Sequence, residues 1–179
     1  MNFIQLPNGL HMGVTPVTQN EYEKMTGEYP SSFKDFNKPV ECVSWFDAET
    51  YCQLLSKFSG KSCRLPTEAE WEYASLAGND RFAYWYAHGD DPKALGNYAW
   101  FDGNADNHTQ QVKLKLPNAW GLYDMIGNVW EWCQDSHGSG RITKGGSWNS
   151  GHELCRPLMW NWEYPHERKA EIGFRVVFS

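Results

Sequence analysis

Apolar residues keep a helical rhythm only in the first half of the chain. After Val43 they recur at Ala48, Tyr51, Cys52, Leu55 and Phe58, steps of three and four that lay one stripe along a helix. Ser44 stands where an N-cap is needed, Asp47 can reach back to it, and Gly60 closes the segment. Two shorter segments share the grammar. Thr18 and Glu21 form a capping box, with Val17 and Tyr22 at the staple positions and Gly27 as the stop. Thr67 and Glu70 repeat the box ahead of Trp71, Ala74 and Ala77, and Gly78 follows. After about residue 79 the rhythm fades into Gly, Asn, Asp and aromatic residues, a pattern that predicts short strands and long ordered loops. The clearest late strands are Arg141-Ile142-Thr143-Lys144 and Gly173-Phe174-Arg175-Val176-Val177-Phe178. Helices ahead of strands, with no repeat or linker, predict an α+β fold in one domain over 1–179.

Composition changes this picture in one respect. The 10 Trp, 9 Tyr and 9 Phe supply more ring surface than a small regular core needs, so they fill an irregular core or form a binding face. The net charge of -6 and the lack of a Lys/Arg run argue against a nucleic-acid partner. No apolar stretch approaches the roughly 20 residues of a membrane span. The start, MNFIQLPNGLHMGVTP, lacks a basic segment and an apolar core, so no secretory leader and cytoplasmic synthesis are expected. The five cysteines, Cys42, Cys52, Cys63, Cys133 and Cys155, are odd in number and include no C-x-x-C pair, which makes a zinc site or a dense disulfide framework unexpected.

Four stretches carry a specific pattern: Arg64-Leu65-Pro66-Thr67-Glu68-Ala69-Glu70-Trp71-Glu72-Tyr73-Ala74, then Asn118 to Trp132 (NAWGLYDMIGNVWEW), Lys144-Gly145-Gly146-Ser147-Trp148, and Gly173-Phe174-Arg175. In order and spacing, from about Val14 onward, they resemble the formylglycine-generating-enzyme/sulfatase-modifying domain. The resemblance implies a C-type-lectin-like fold with few helices, short strands and much irregular backbone. Read by themselves, Asn128, Gly121, Gly127, Gly145 and Gly146 suit turns of unusual φ/ψ, and Trp130, Trp132 and Trp148 suit a core that few strands line.

The aerobic enzyme of that family uses two cysteines, five apart, that bind copper and oxidise a substrate cysteine. The matching positions here are Ser150 and Cys155. A serine hydroxyl is a poor copper(I) ligand, and one thiol alone cannot form a reversible disulfide within the site. Cys155 is therefore expected to be a buried small hydrophobe and the chain to be no enzyme. The alternative is an oxidase or sulfur-transfer enzyme that uses Cys155. An iron-dependent branch takes its histidines from an added helical domain. The six histidines here show no H-x-x-H or H-x-x-x-H spacing on a predicted helix. The carboxylate pairs Glu70/Glu72 and Asp90/Asp91 read as capping or solvated groups. No cofactor is expected, with calcium left open. The family holds calcium partly through Gly-Asn-x-x-Glu, here Gly127 to Glu131, so Asn128, Val129 and Glu131 are the candidate ligands. Otherwise Asn128 and Glu131 hydrogen-bond loop backbone with no ion.

From Gly145 to the end the chain is similar to the variable region of proteins diversified by retroelements in phages and bacteria, which use the same scaffold to bind ligands. That resemblance names the candidate contacts as Asn149, Ser150, His152, Glu153, Met159, Trp160, Asn161, Trp162, Glu163, Tyr164, His166, Glu167, Lys169 and Glu171. Trp160, Trp162 and Tyr164 would share one face of an extended segment. They are expected at the surface, Trp162 foremost because Asn161 and Glu163 flank it, although an inward stripe would also fit. A non-enzymatic binder of a protein ligand follows, displayed on a virion or cell surface or held in the cytoplasm.

Overall fold

In the computed structural model, which describes residues 1–79 and 92–178, all three capping boxes start helices: α1 (Gln19–Thr26), α2 (Trp45–Ser59) and α3 (Glu68–Ser75). Each cap oxygen accepts from the amide three residues on, and the carboxylate there accepts from the cap amide. Two amides that a first turn leaves open are thereby satisfied. Gly27 and Gly60 end α1 and α2 in the left-handed region. Helix α3 stops at Ser75, short of the expected Ala77, because Ala77 itself takes φ 50°. Along α2 the stripe buries Ala48, Tyr51, Cys52 and Leu55, but Phe58 is 82% exposed, so the core ends one turn before the helix does.

Two four-stranded sheets complete the fold. One is antiparallel and holds β1 (Phe3–Gln5), β2 (His11–Gly13), β3 (Cys63–Arg64) and β8 (Val177–Phe178) in the order β1-β2-β8-β3. The other holds β4 (Trp130–His137), β5 (Gly140–Lys144), β6 (Trp160–Glu163) and β7 (Ile172–Gly173) in the order β6-β5-β4-β7, with β4 and β7 parallel. The expected terminal strand is thus two strands in two sheets. The chain crosses between them at Phe174–Val176, where the guanidinium of Arg175 is fully buried against Glu131. Strands β1, β2, β3 and β4 were not foreseen, whereas β6 lies in the segment read as extended. In β4 the run Trp130-Glu131-Trp132-Cys133 is buried throughout, so it lacks the alternation that marks a half-exposed strand.

The motif residues mostly do structural work. Gly121, Gly127, Gly145, Gly146 and Asn128 all have positive φ, as their sequence context suggests. At Gly127 the Trp100 backbone packs into the space a Cβ would need. Trp130 and Trp132 are buried, and Trp148 is partly buried with its indole nitrogen donating to the Ala170 carbonyl at 3.1 Å. Glu131 takes Arg175 Nε at 2.6 Å and Nη2 at 2.8 Å, together with Trp71 Nε1 at 2.7 Å. Arg175 also donates to the carbonyls of Gly13 and Tyr123, so one ion pair joins α3, β2, β4 and a loop.

Candidate binding surface

Strand β6 lies at a sheet edge and pairs with β5 on one side, Trp160 opposite Lys144 and Glu163 opposite Arg141. Period-two geometry puts Trp160 and Trp162 on one face. The His137 ring lies 4.9 Å from Trp160 and 6.3 Å from Trp162. Trp162 meets Tyr164 edge-on at 5.5 Å, and Tyr164 stacks on His166 at 5.8 Å. Five rings therefore form one continuous run. Trp160 is 44% exposed, Trp162 38% and Tyr164 46%. The outward alternative is the one adopted, with Trp162 the least exposed of the three, because its ring lies over Gly140, where a Cβ would collide with it. His137 was missed from sequence. It sits in β4 beyond a register shift, where no linear pattern connects it with β6.

The start of helix α2 holds the turn that follows this ribbon. The Trp45 amide donates to the Pro165 carbonyl, and the Cys42 amide to the Lys169 carbonyl, each at 3.0 Å. Arg168 clasps both Asp47 oxygens at 2.7 and 2.9 Å. Burial pushes the Asp47 carboxyl up, but hydrogen bonds from Arg168 and Ser44 outweigh it and hold the group below its usual range. Lys169 pairs with Glu163.

Of the other candidates, Asn149, His152, Glu153, Asn161 and His166 are exposed, and Met159, Glu163, Glu167, Lys169 and Glu171 are partly buried. Ser150 has to be withdrawn as a contact residue. It is 5% exposed and its hydroxyl accepts the Ser147 amide at 3.0 Å, closing the loop from inside.

Cys155 is fully buried, packed beneath Gly146, and burial pushes its thiol up to about 12. A thiol so placed holds little thiolate near neutrality, and the thiolate is the reactive form. The calcium candidates do not fit an ion. Asn128 Oδ1 accepts from the Gln110 amide at 3.0 Å, while its amide nitrogen donates to the Gln110 carbonyl and Asp124. Both Glu131 oxygens are engaged by Arg175, which supplies the positive charge a calcium would bring. Val129 is buried between them. Glu70 caps α3 and holds Arg64 at 2.7 Å through both oxygens, and Glu72 holds the buried Lys144 at 2.8 Å. Asp90 and Asp91 lie outside the described residues. Among the described residues no helix is long and apolar enough to cross a membrane.

The chain is similar in sequence and fold to known proteins. The chain is 29% identical to the chaperone protein LppX of Paenibacillus barcinonensis over 94% of its own length and 80% of that protein. It is 33% identical to the formylglycine-generating enzyme of Thermomonospora curvata over 79% of its length, and spans 55% of that enzyme. Among solved structures, the Treponema denticola variable protein 1 superposes with a TM-score of 0.88 at 29% identity, over 94% of this chain and 84% of that one. With this C-type-lectin-like scaffold and a match to the family model over residues 2–179, the chain belongs to the family of sulfatase-modifying factor enzyme 1-like domains.

Proposed function

We propose that this chain is a non-enzymatic binding protein that grips a protein partner through the aromatic ribbon of β6 and the turn after it. The observation that carries the reading is the outward run of His137, Trp160, Trp162, Tyr164 and His166 on a sheet edge. Trp and Tyr bury large contact area with few rotors to freeze, and they dominate interface hot spots. The ribbon is paired to β5, and the turn after it is tied to α2, which pre-organises it and lowers the cost of binding. The likeness to the Treponema denticola variable protein 1 supports a scaffold that varies its surface and keeps its core. A virion or cell surface suits such display.

The test starts from a partner selected against the wild-type chain from a displayed protein library. The double variant Trp160→Ala/Trp162→Ala should weaken that partner's binding by 100-fold or more, on the order expected for two hot-spot rings. Its Tm should stay within a few degrees of wild type, and Phe58→Ser should bind as wild type does. Unchanged affinity in the double variant, or its unfolding, refutes the reading. The opposing enzymatic reading rests on the relatives named as formylglycine-generating enzymes. Copper-loaded protein should leave a cysteine-containing peptide unoxidised, and turnover that vanishes in Cys155→Ser would replace the binding function.

A further inference from the structure

Two buried thiols stand apart from the ribbon and from Cys155. Cys52 is on α2 and Cys63 on β3, and they are 2% and 8% exposed in the same core cluster. One hydroxyl fixes both backbones. Ser56 Oγ donates to the Cys52 carbonyl at 2.8 Å and accepts the Cys63 amide at 2.9 Å. Ser56 thus holds the two residues side by side in one core cluster, and the neighbouring Cys63 together with burial pushes the Cys52 thiol well above its usual range. No other cysteine competes. Cys42 faces Ser32 at 3.2 Å, and Cys133 and Cys155 belong to the other core cluster.

We propose that Cys52 and Cys63 are a modification site: they close into a disulfide that fastens α2 to β3 when the chain folds in an oxidising environment. The oxidant is a small-molecule disulfide such as oxidised glutathione. The thiolate of one cysteine attacks it, releases one small thiol and leaves a mixed disulfide, and the second cysteine displaces the other small thiol. Two electrons pass from the protein sulfurs to the oxidant, and both protons leave on the released thiols. Because both sulfurs are buried, the exchange belongs to folding or opening and not to the closed state. The consequence reaches the ribbon. Helix α2 carries Trp45 and Asp47, which hold the Pro165 and Arg168 turn, so a bond from α2 to the β3–β8 pair would fix the helix that holds this turn. A reducing compartment would leave the pair as ordinary core thiols.

The test is refolding of the full chain in a glutathione redox buffer, followed by denaturation, alkylation and peptide mapping. The expected result is two fewer alkylated cysteines than in the reduced protein, a linked peptide whose fragments place the bridge at Cys52 and Cys63, and a Tm higher by roughly 5–10 °C than that of the reduced chain. The rise should disappear in Cys52→Ala and in Cys63→Ala. If those variants fail to fold, the wild-type map decides by itself. Full alkylation after oxidative refolding, a bridge to Cys42, or a bridge with no gain in Tm overturns the proposal.

Discussion

A carboxylate shut away from water must be supported by donors or give up its charge. Asp124 is 3% exposed, with the Lys113 amide at 2.9 Å on one oxygen and Asn128 Nδ2 at 3.3 Å on the other. Burial outweighs those donors and raises its carboxyl from 3.8 to about 6. The sign for stability follows. Between those two values the folded chain holds a proton that the unfolded chain has released, so stability falls as pH rises through this window and the loss persists above it. The Asp124→Asn variant keeps an acceptor for Lys113 and cannot ionise. Its stability relative to wild type should therefore improve from pH 4 to pH 6 by about 2–3 kcal/mol and then level off. Urea unfolding across that range reads the difference, and parallel profiles for the two proteins would refute it. The same residue-scale logic covers Cys155, whose thiol is pushed up by the same cause and which behaves as core.

Within α2, two neighbouring apolar residues with the same sequence signature have opposite fates. Leu55 is 9% exposed and Phe58 82%, one turn apart. Leu55→Ala should cost about 2–5 kcal/mol through lost transfer and the cavity left behind, whereas Phe58→Ser should stay within about 0.5 kcal/mol. Equilibrium unfolding of both variants separates a stripe that ends early from one that runs to the cap. The case marks what is legible in sequence at this scale. Caps act across three residues, so Thr18, Ser44 and Thr67 announced their helices with nothing distant needed. Where a stripe stops being covered depends on what packs above it, which is why Phe58 was misjudged, while Ala77 leaves its helix through its own positive φ. The first half of β4, Trp130–Cys133, is covered on both faces and gives no period to read, and β7 and β8 separate because Arg175 turns inward to a carboxylate 44 positions away. In the ribbon the alternation of Trp160, Trp162 and Tyr164 was visible. His137 joined it, and Ser150 left the surface, through contacts that only the folded chain brings about.

At the scale of the molecule the two sheets share little hydrogen-bonded backbone, and the Arg175–Glu131 pair spans the place where the chain passes from one to the other. A buried pair is a weak source of net stability, but it is costly to break from one side, because the survivor keeps a charge it cannot hydrate. Among the described residues, Arg175→Met leaves Glu131 with Trp71 as its side-chain donor, and Glu131→Gln leaves Arg175 with carbonyl partners. Each variant should lose about 3–5 kcal/mol in urea unfolding. The double variant removes both charges, so its loss should fall short of the sum of the two by about 1–3 kcal/mol. Strict additivity would mean that the hydrogen bonds to Gly13, Tyr123 and Trp71, and not the charge pairing, hold the crossing. If coupling is found, the ribbon and the crossing are mechanically separable: neither variant touches Trp160, Trp162 or Tyr164, so partner binding by the folded fraction should survive both.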